Sequence, residues 1–184
     1  MTLREMKDRV LSLIEEINPE SEYLTDDPDI QEKINYVIDM KQHELARVKR
    51  LAASDIIETK ENQQIDLYEE YDDFYKLKNI TGVSYTLFDN LVTFNEEGEA
   101  TVNYWRYPKL ITKDTDMDKY KMELSRDVLE IMPYGVAADI LKSDVSAQYG
   151  RIYEEAYQRA LQILDVNTSE GIYEIKGGLY VWNL

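Results

Sequence analysis

The apolar residues of this chain repeat with two different periods, and the change falls close to residue 54. Before it, Ile30, Ile34, Val37, Ile38, Leu45, Val48 and Leu51 lie at the three-, four- and seven-residue spacings of one helix face. After it come short β-branched and aromatic runs separated by turn-forming residues: Asp55–Thr59, Phe74–Ile80, Ser84–Phe88, Leu91–Asn95 and Ala100–Tyr107. A helix-period pattern does not serve as a strand, so the chain must build both kinds of layer.

The flanking signals fill in the rest. Thr2 and Glu5 have capping-box spacing, and Leu3, Met6, Val10, Leu13, Ile14 and Ile17 predict a first helix that Asn18-Pro19 stops. Asp27-Pro28 opens the second helix, which, unbroken to Ala52, would be about 37 Å long. Asn95 to Glu99 reads as a hairpin turn before Ala100–Tyr107, a strand with bulk on both faces and therefore expected to be covered on both. Asp114–Asp118 is expected to start a third helix, carrying Leu124, Val128, Leu129 and Ile131 until Pro133 interrupts it. A short helix through Val136, Ile140 and Leu141 follows. In the last helix Tyr149, Ile152, Tyr153, Ala156, Ala160, Leu161, Ile163 and Leu164 form the expected buried stripe. The final 14 residues alternate around Gly177-Gly178 like a small hairpin.

Charge and composition exclude several functions. The net charge is −16, and residues 55–118 alone carry 15 acids against six bases. Such a surface is disfavoured for phosphate backbones and anionic lipid, whose binding depends on lysine and arginine. No apolar run approaches the roughly 20 residues of a membrane span, and the amphipathic start does not read as a signal peptide. The absence of cysteine removes thiolate chemistry and fits manufacture in a reducing cytoplasm.

Catalytic constellations are sparse. His43, the one histidine, sits between Gln42 and Glu44 and reads as a packing or surface residue rather than a triad base. No nucleotide-binding glycine motif occurs. Asp114, Asp116 and Asp118 alternate like the start of a calcium loop, but Lys119 stands where that loop needs glycine and Ser125 where it needs glutamate, so they read as helix-capping acids. No enzyme activity, cofactor or metal is expected. Fifteen tyrosines supply large amphipathic contact area. The apolar end, with Ile172, Tyr173, Ile175, Leu179, Tyr180, Val181 and Trp182, must dock on something, because a lone hairpin is marginal in water.

Three stretches carry a family likeness: KINYVIDMKQHELARVKRLA, DLYEEYDDFYKLKNITG, and VNYWRYPKLITKDTDMDKYKMELSRDVLEIMPYGVAADILKSD. With YGRIYEEAYQRALQIL they cover about two thirds of the chain, and they resemble the head–tail connector (adaptor) proteins of tailed bacteriophages. Where relatives often have Leu-Pro before the β-lobe aspartate, this chain has Glu70-Tyr71. The resemblance implies a mainly helical α+β fold: an antiparallel helical bundle with a small inserted β lobe and a C-terminal hairpin-like tail. Its parts would be N-terminal helices at 1–54, an acidic β lobe at 55–113, C-terminal helices at 114–166 and an apolar docking tail at 167–184.

It further implies a structural ring subunit, often twelve-fold, under the portal protein of the virion neck, made in the bacterial host cytoplasm. It would contact tail or stopper proteins and let DNA pass without specific binding, away from any membrane. A closed ring needs two unlike surfaces per subunit. The candidates are Tyr104, Trp105 and Tyr107 on the double-sided strand, and the seven apolar tail residues above. Asp66, Glu69, Glu70, Asp72, Asp73, Glu96, Glu97 and Glu99 are candidates to line the channel and repel DNA. The competing reading is a monomeric acidic protein that mimics DNA and occupies a basic host protein.

Overall fold

A computed structural model describes residues 1–142 and 147–164. The hairpin-like tail lies outside the described residues. Helix α1 spans Leu3–Leu13 and begins with a complete capping box: the Glu5 amide donates to Thr2 Oγ1 at 3.2 Å, and the Thr2 amide donates to Glu5 Oε2 at 2.9 Å. It stops four residues before Ile17. Glu15 takes a left-handed φ of 61°, and the Glu16 amide returns to the Leu11 carbonyl, so the chain has turned before the apolar spacing ends.

Helix α2, Pro28–Val48, starts on the Asp27 carboxylate, which accepts from the Asp29 and Ile30 amides. Its 21 residues make it about 30 Å long, shorter than expected. Leu51 and Ala52 continue the helical spacing but enter strand β1, Leu51–Thr59, where they pair with Arg106 and Trp105. Backbone pairing over nine residues overrides local periodicity there.

The fold expectation needs correction. The described residues form an α+β structure with two antiparallel sheets and five helices, not a mainly helical bundle with a small β insert. The remaining strands are β2 (Gln64–Asp66), β3 (Phe74–Thr81), β4 (Tyr85–Phe88), β5 (Leu91–Phe94) and β6 (Gly98–Arg106), with a single-turn helix α3 (Leu67–Glu70) before β3. One sheet has the order β1-β6-β3, the other β2-β5-β4. Their facing side chains, including Phe74, Ile80, Ala100, Val102 and Tyr104 from the first and Val92 and Phe94 from the second, share one core that Leu67 closes. The β lobe therefore has an interior of its own. Alternation predicted strands but not partners: Asn95 to Glu97 carries the chain from one sheet to the other instead of turning a hairpin. The chain also crosses between the sheets from β3 to β4, tightly at Gly82, where φ is 101° and a Cβ would meet the Glu99 carbonyl oxygen at 2.3 Å.

Residues 107–125 form an irregular strap and not the expected helix. Asp116 caps one turn, accepting from the Asp118 and Lys119 amides at 3.1 and 3.3 Å. The next helix, α4 (Arg126–Leu141), runs straight through Pro133, contrary to expectation. An internal proline costs about 3 kcal/mol. Nine buried residues on α4, among them Val128, Leu129, Met132, Val136 and Ile140, outweigh that cost only if the helix stays continuous. Helix α5, Ala147–Ile163, packs against α4. Its buried side is centred on Tyr157, at 1% exposure, with Leu164 beyond its end; Tyr149, Ile152 and Ile163 face outward instead of lying in the expected stripe. These helices share the second core, with Leu3, Met6, Ile34, Ile38, Leu45, Met132 and Val136 at its centre.

Candidate interaction surfaces

A polar row on α2 holds the strap that leads out of the β lobe. Asn35, Asp39 and Gln42 recur at helical spacing and grip the strap: Asn35 Nδ2 donates to the Thr112 carbonyl at 2.8 Å, the Ile111 amide donates to Asp39 Oδ1 at 2.7 Å, and Gln42 Nε2 donates to the Lys109 carbonyl at 2.9 Å. His43 continues the row. Its Nδ1–H donates to the Asp39 carbonyl at 2.8 Å while its ring meets Tyr107 at 5.4 Å, so it is a packing residue at the lobe junction. Arg106 adds a bidentate pair with Glu123, 3.0 and 3.2 Å. Burial pushes the Glu123 carboxyl up, but Arg106 and the Lys109 amide more than reverse this and hold it below the ordinary glutamate range.

The three aromatic residues predicted for subunit contact take different positions. Tyr104 is buried in the β core, stacked on Tyr71 with centroids 4.5 Å apart, and donates its hydroxyl to Asp73. Burial, and then the Asp55 carboxylate, raises the Tyr71 phenol above its ordinary value. Tyr107 is half-buried among His43, Tyr75 and Arg47. Trp105 alone of the three looks out from the opposite face of the sheet, half-buried beneath Lys78 at 4.9 Å and Arg50 at 5.7 Å. Ile172, Tyr173, Ile175, Leu179, Tyr180, Val181 and Trp182 lie outside the described residues.

The predicted channel acids fall into two groups at opposite ends of β6. Glu96, Glu97 and Glu99 sit at its Gly98 end; Asp66, Glu69, Glu70, Asp72 and Asp73 belong to the segment leading to Phe74, which pairs with Arg106 at the other end, about 25 Å away. Three of the eight already have structural partners. Asp66 caps α3 and accepts from Asn90, Asp73 accepts from Tyr104, and Glu96 accepts from the Ser84 amide at 2.6 Å. Glu69, Glu70, Asp72, Glu97 and Glu99 are exposed.

Two outward apolar patches were not singled out by sequence reading. At the β4–β5 hairpin, Phe88 is 81% exposed, and both its cross-strand partner Leu91 and the neighbouring Leu87 are exposed too; Tyr68 is likewise exposed on the adjoining α3. The signal was the two-residue Asp89-Asn90 turn, which sets the apolar residues on either side opposite each other; Asp89 takes a φ of 57°. On α5, Tyr149 and Ile152 are more than half exposed. Among the described residues, no cluster of three or more acidic or histidine side chains is placed to hold a metal, and no helix is long and apolar enough to cross a membrane. Asp116 pairs with Lys119 and Asp118 with Arg4 rather than converging with Asp114.

No protein-family model matches the chain, and no curated protein matches it.

Proposed function

We propose that the chain is a structural ring subunit of a tailed-bacteriophage neck, seated against the portal protein, with DNA passing through the ring. The observation that carries this reading is the pair of unlike exposed apolar patches on separate lobes: Leu87, Phe88 and Leu91 at the β tip, and Tyr149 with Ile152 on α5. A head-to-tail contact repeated by rotation uses two such different surfaces, and exposed apolar clusters of this kind mark association sites. The distribution of acids adds a geometric condition. Glu97 and Glu99 at one end and Glu69, Glu70 and Asp72 at the other line one channel only if β6 runs along the channel axis. The resemblance in the strap and α4 supports the portal-facing role.

Electron microscopy of the full chain mixed with the portal protein of its phage tests the reading. A ring on the portal is the expected outcome. Phe88→Asp and Ile152→Asp should each fold but fail to assemble, and mixing the two should restore one intact contact and yield a heterodimer. A chain that stays single, ignores the portal and instead captures a basic host protein overturns the proposal in favour of the acidic-mimic reading.

A further inference from the structure

The cleft between α1, the loop after it, α2 and the strap is lined by two largely buried side chains, each with a polar atom that has no protein partner. Lys7 is only 5% exposed and makes no hydrogen bond or ion pair among the described residues. Asn35 is 9% exposed, and its Oδ1 accepts nothing; because its Nδ2 is committed to the Thr112 carbonyl, rotating the amide would only place two oxygens together. Largely buried ammonium groups are otherwise paired; that of Lys7 stays in contact with solvent, while Asn35 Oδ1 is closed off from it. Both residues line a single open cleft of about 920 Å³, within the size range of ligand sites. Burial, with a smaller contribution from Arg4, lowers the Lys7 ammonium below its ordinary value, the cost expected of an unpaired charge.

The rim is mainly acidic. Glu20, Glu22, Glu32 and Asp114 line it, beside one lysine, Lys113, and these four acids make no ion pair among the described residues, while Tyr23 and Tyr36 stand exposed at 51% and 66%. A group that satisfies the interior must bring a negative acceptor to Lys7. One that satisfies the rim must bring a cation, and a flat guanidinium suits both carboxylates and tyrosine faces.

We propose that this cleft binds the α-carboxylate of a basic amino acid, free or as the last residue of a polypeptide, with the carboxylate on Lys7 and the cationic side chain on the acidic, tyrosine-bearing rim. The proposal is independent of the ring reading, since it stands on a different surface and needs no assembly.

Calorimetric titration of the full chain with the tripeptide Ala-Ala-Arg, with its C-terminal amide and with free L-arginine tests it. The tripeptide acid should bind and its amide bind about tenfold more weakly, the loss expected for one charge-assisted hydrogen bond. Lys7→Met should remove that difference between acid and amide. Tyr36→Ala, on the exposed rim and away from the core, should weaken both without unfolding the chain. Binding of L-arginine as well as the tripeptide assigns a free amino acid as a sufficient ligand; binding of the tripeptide alone assigns a polypeptide end. Either result supports the site. No heat at millimolar ligand, equal affinity for acid and amide, or an acid preference that survives in a folded Lys7→Met chain overturns it.

Discussion

Tyr157 shows how much one side chain carries in the helical lobe. It is 1% exposed, donates its hydroxyl to Glu44 at 2.9 Å and lies under the Lys41 ammonium at 4.8 Å. Lys41 in turn reaches Glu44 and Asp139 at 2.8 and 2.9 Å. Burial pulls the Lys41 ammonium down, but those two carboxylates outweigh it and hold it above its ordinary value. Gly135 belongs to the same arrangement, because a Cβ there would press on the Tyr157 ring at 3.0 Å. Tyr157→Phe keeps the ring and gives up the hydrogen bond to Glu44, so urea unfolding should record a loss of about 1 kcal/mol. Lys7→Met should act in the opposite direction, because it removes a buried charge that has no partner. The folded Lys7 value lies below the ordinary 10.5, so the unfolded state holds the proton more tightly. The resulting penalty is full at neutral pH and disappears as the pH rises past the unfolded value. Thermal melts should therefore show Lys7→Met more stable than the wild-type chain at pH 7, with the gap closing towards about pH 10.

At the scale of elements, helix starts were legible and helix ends were not. Thr2 with Glu5 and Asp27 with Pro28 bond to amides a few residues along the chain, so local sequence settles them. The end of α2 is decided by the pairing of Leu51 with Arg106, a partner 55 positions away. Pro133 makes the same point, since the rule that proline breaks a helix is local and the burial that overrides it is not. Pro133→Ala removes about 3 kcal/mol of backbone cost and forfeits about 1.6 kcal/mol from two buried methylenes. A net gain of about 1 kcal/mol in chemical denaturation is expected; a clear loss would mean that the proline ring is a packing element that α4 requires.

Across the whole molecule, the two lobes are joined by polar contacts rather than by a shared apolar core. The Arg106–Glu123 pair ties β6 to the strap, the α2 row holds the strap on the helical lobe, and the Lys49–Asp127 pair ties α2 to α4 within that lobe. Lys49 and Ser125 hold the Asp127 carboxyl below its ordinary value; for Asp139 and Glu123 burial acts upward and is overcome by their lysine and arginine partners. A carboxyl depressed in the folded state contributes stability above its unfolded value and loses it as the pH falls through the folded one. Stability measured in 0.5 M salt, which screens the general repulsion of the −16 charge, should hold from about pH 7 to 5 and decline below about pH 4.5. An unchanged unfolding midpoint at about pH 3 would show that these pairs do not stabilise the fold.

The amino-acid order by itself determined the change from helical to strand period, both N-caps, the acidic middle and the position of every strand except β2, because these depend on neighbours a few residues away. Tertiary structure alone decided the division of the strands into two facing sheets, the burial of Tyr104 against the outward turn of Trp105, the unbroken α4, and the meeting of Lys7 and Asn35 in one cleft. Each of these turns on which distant surface covers a residue. Such coverage is a sum of burial and pairing over the whole molecule, and no window of sequence contains it.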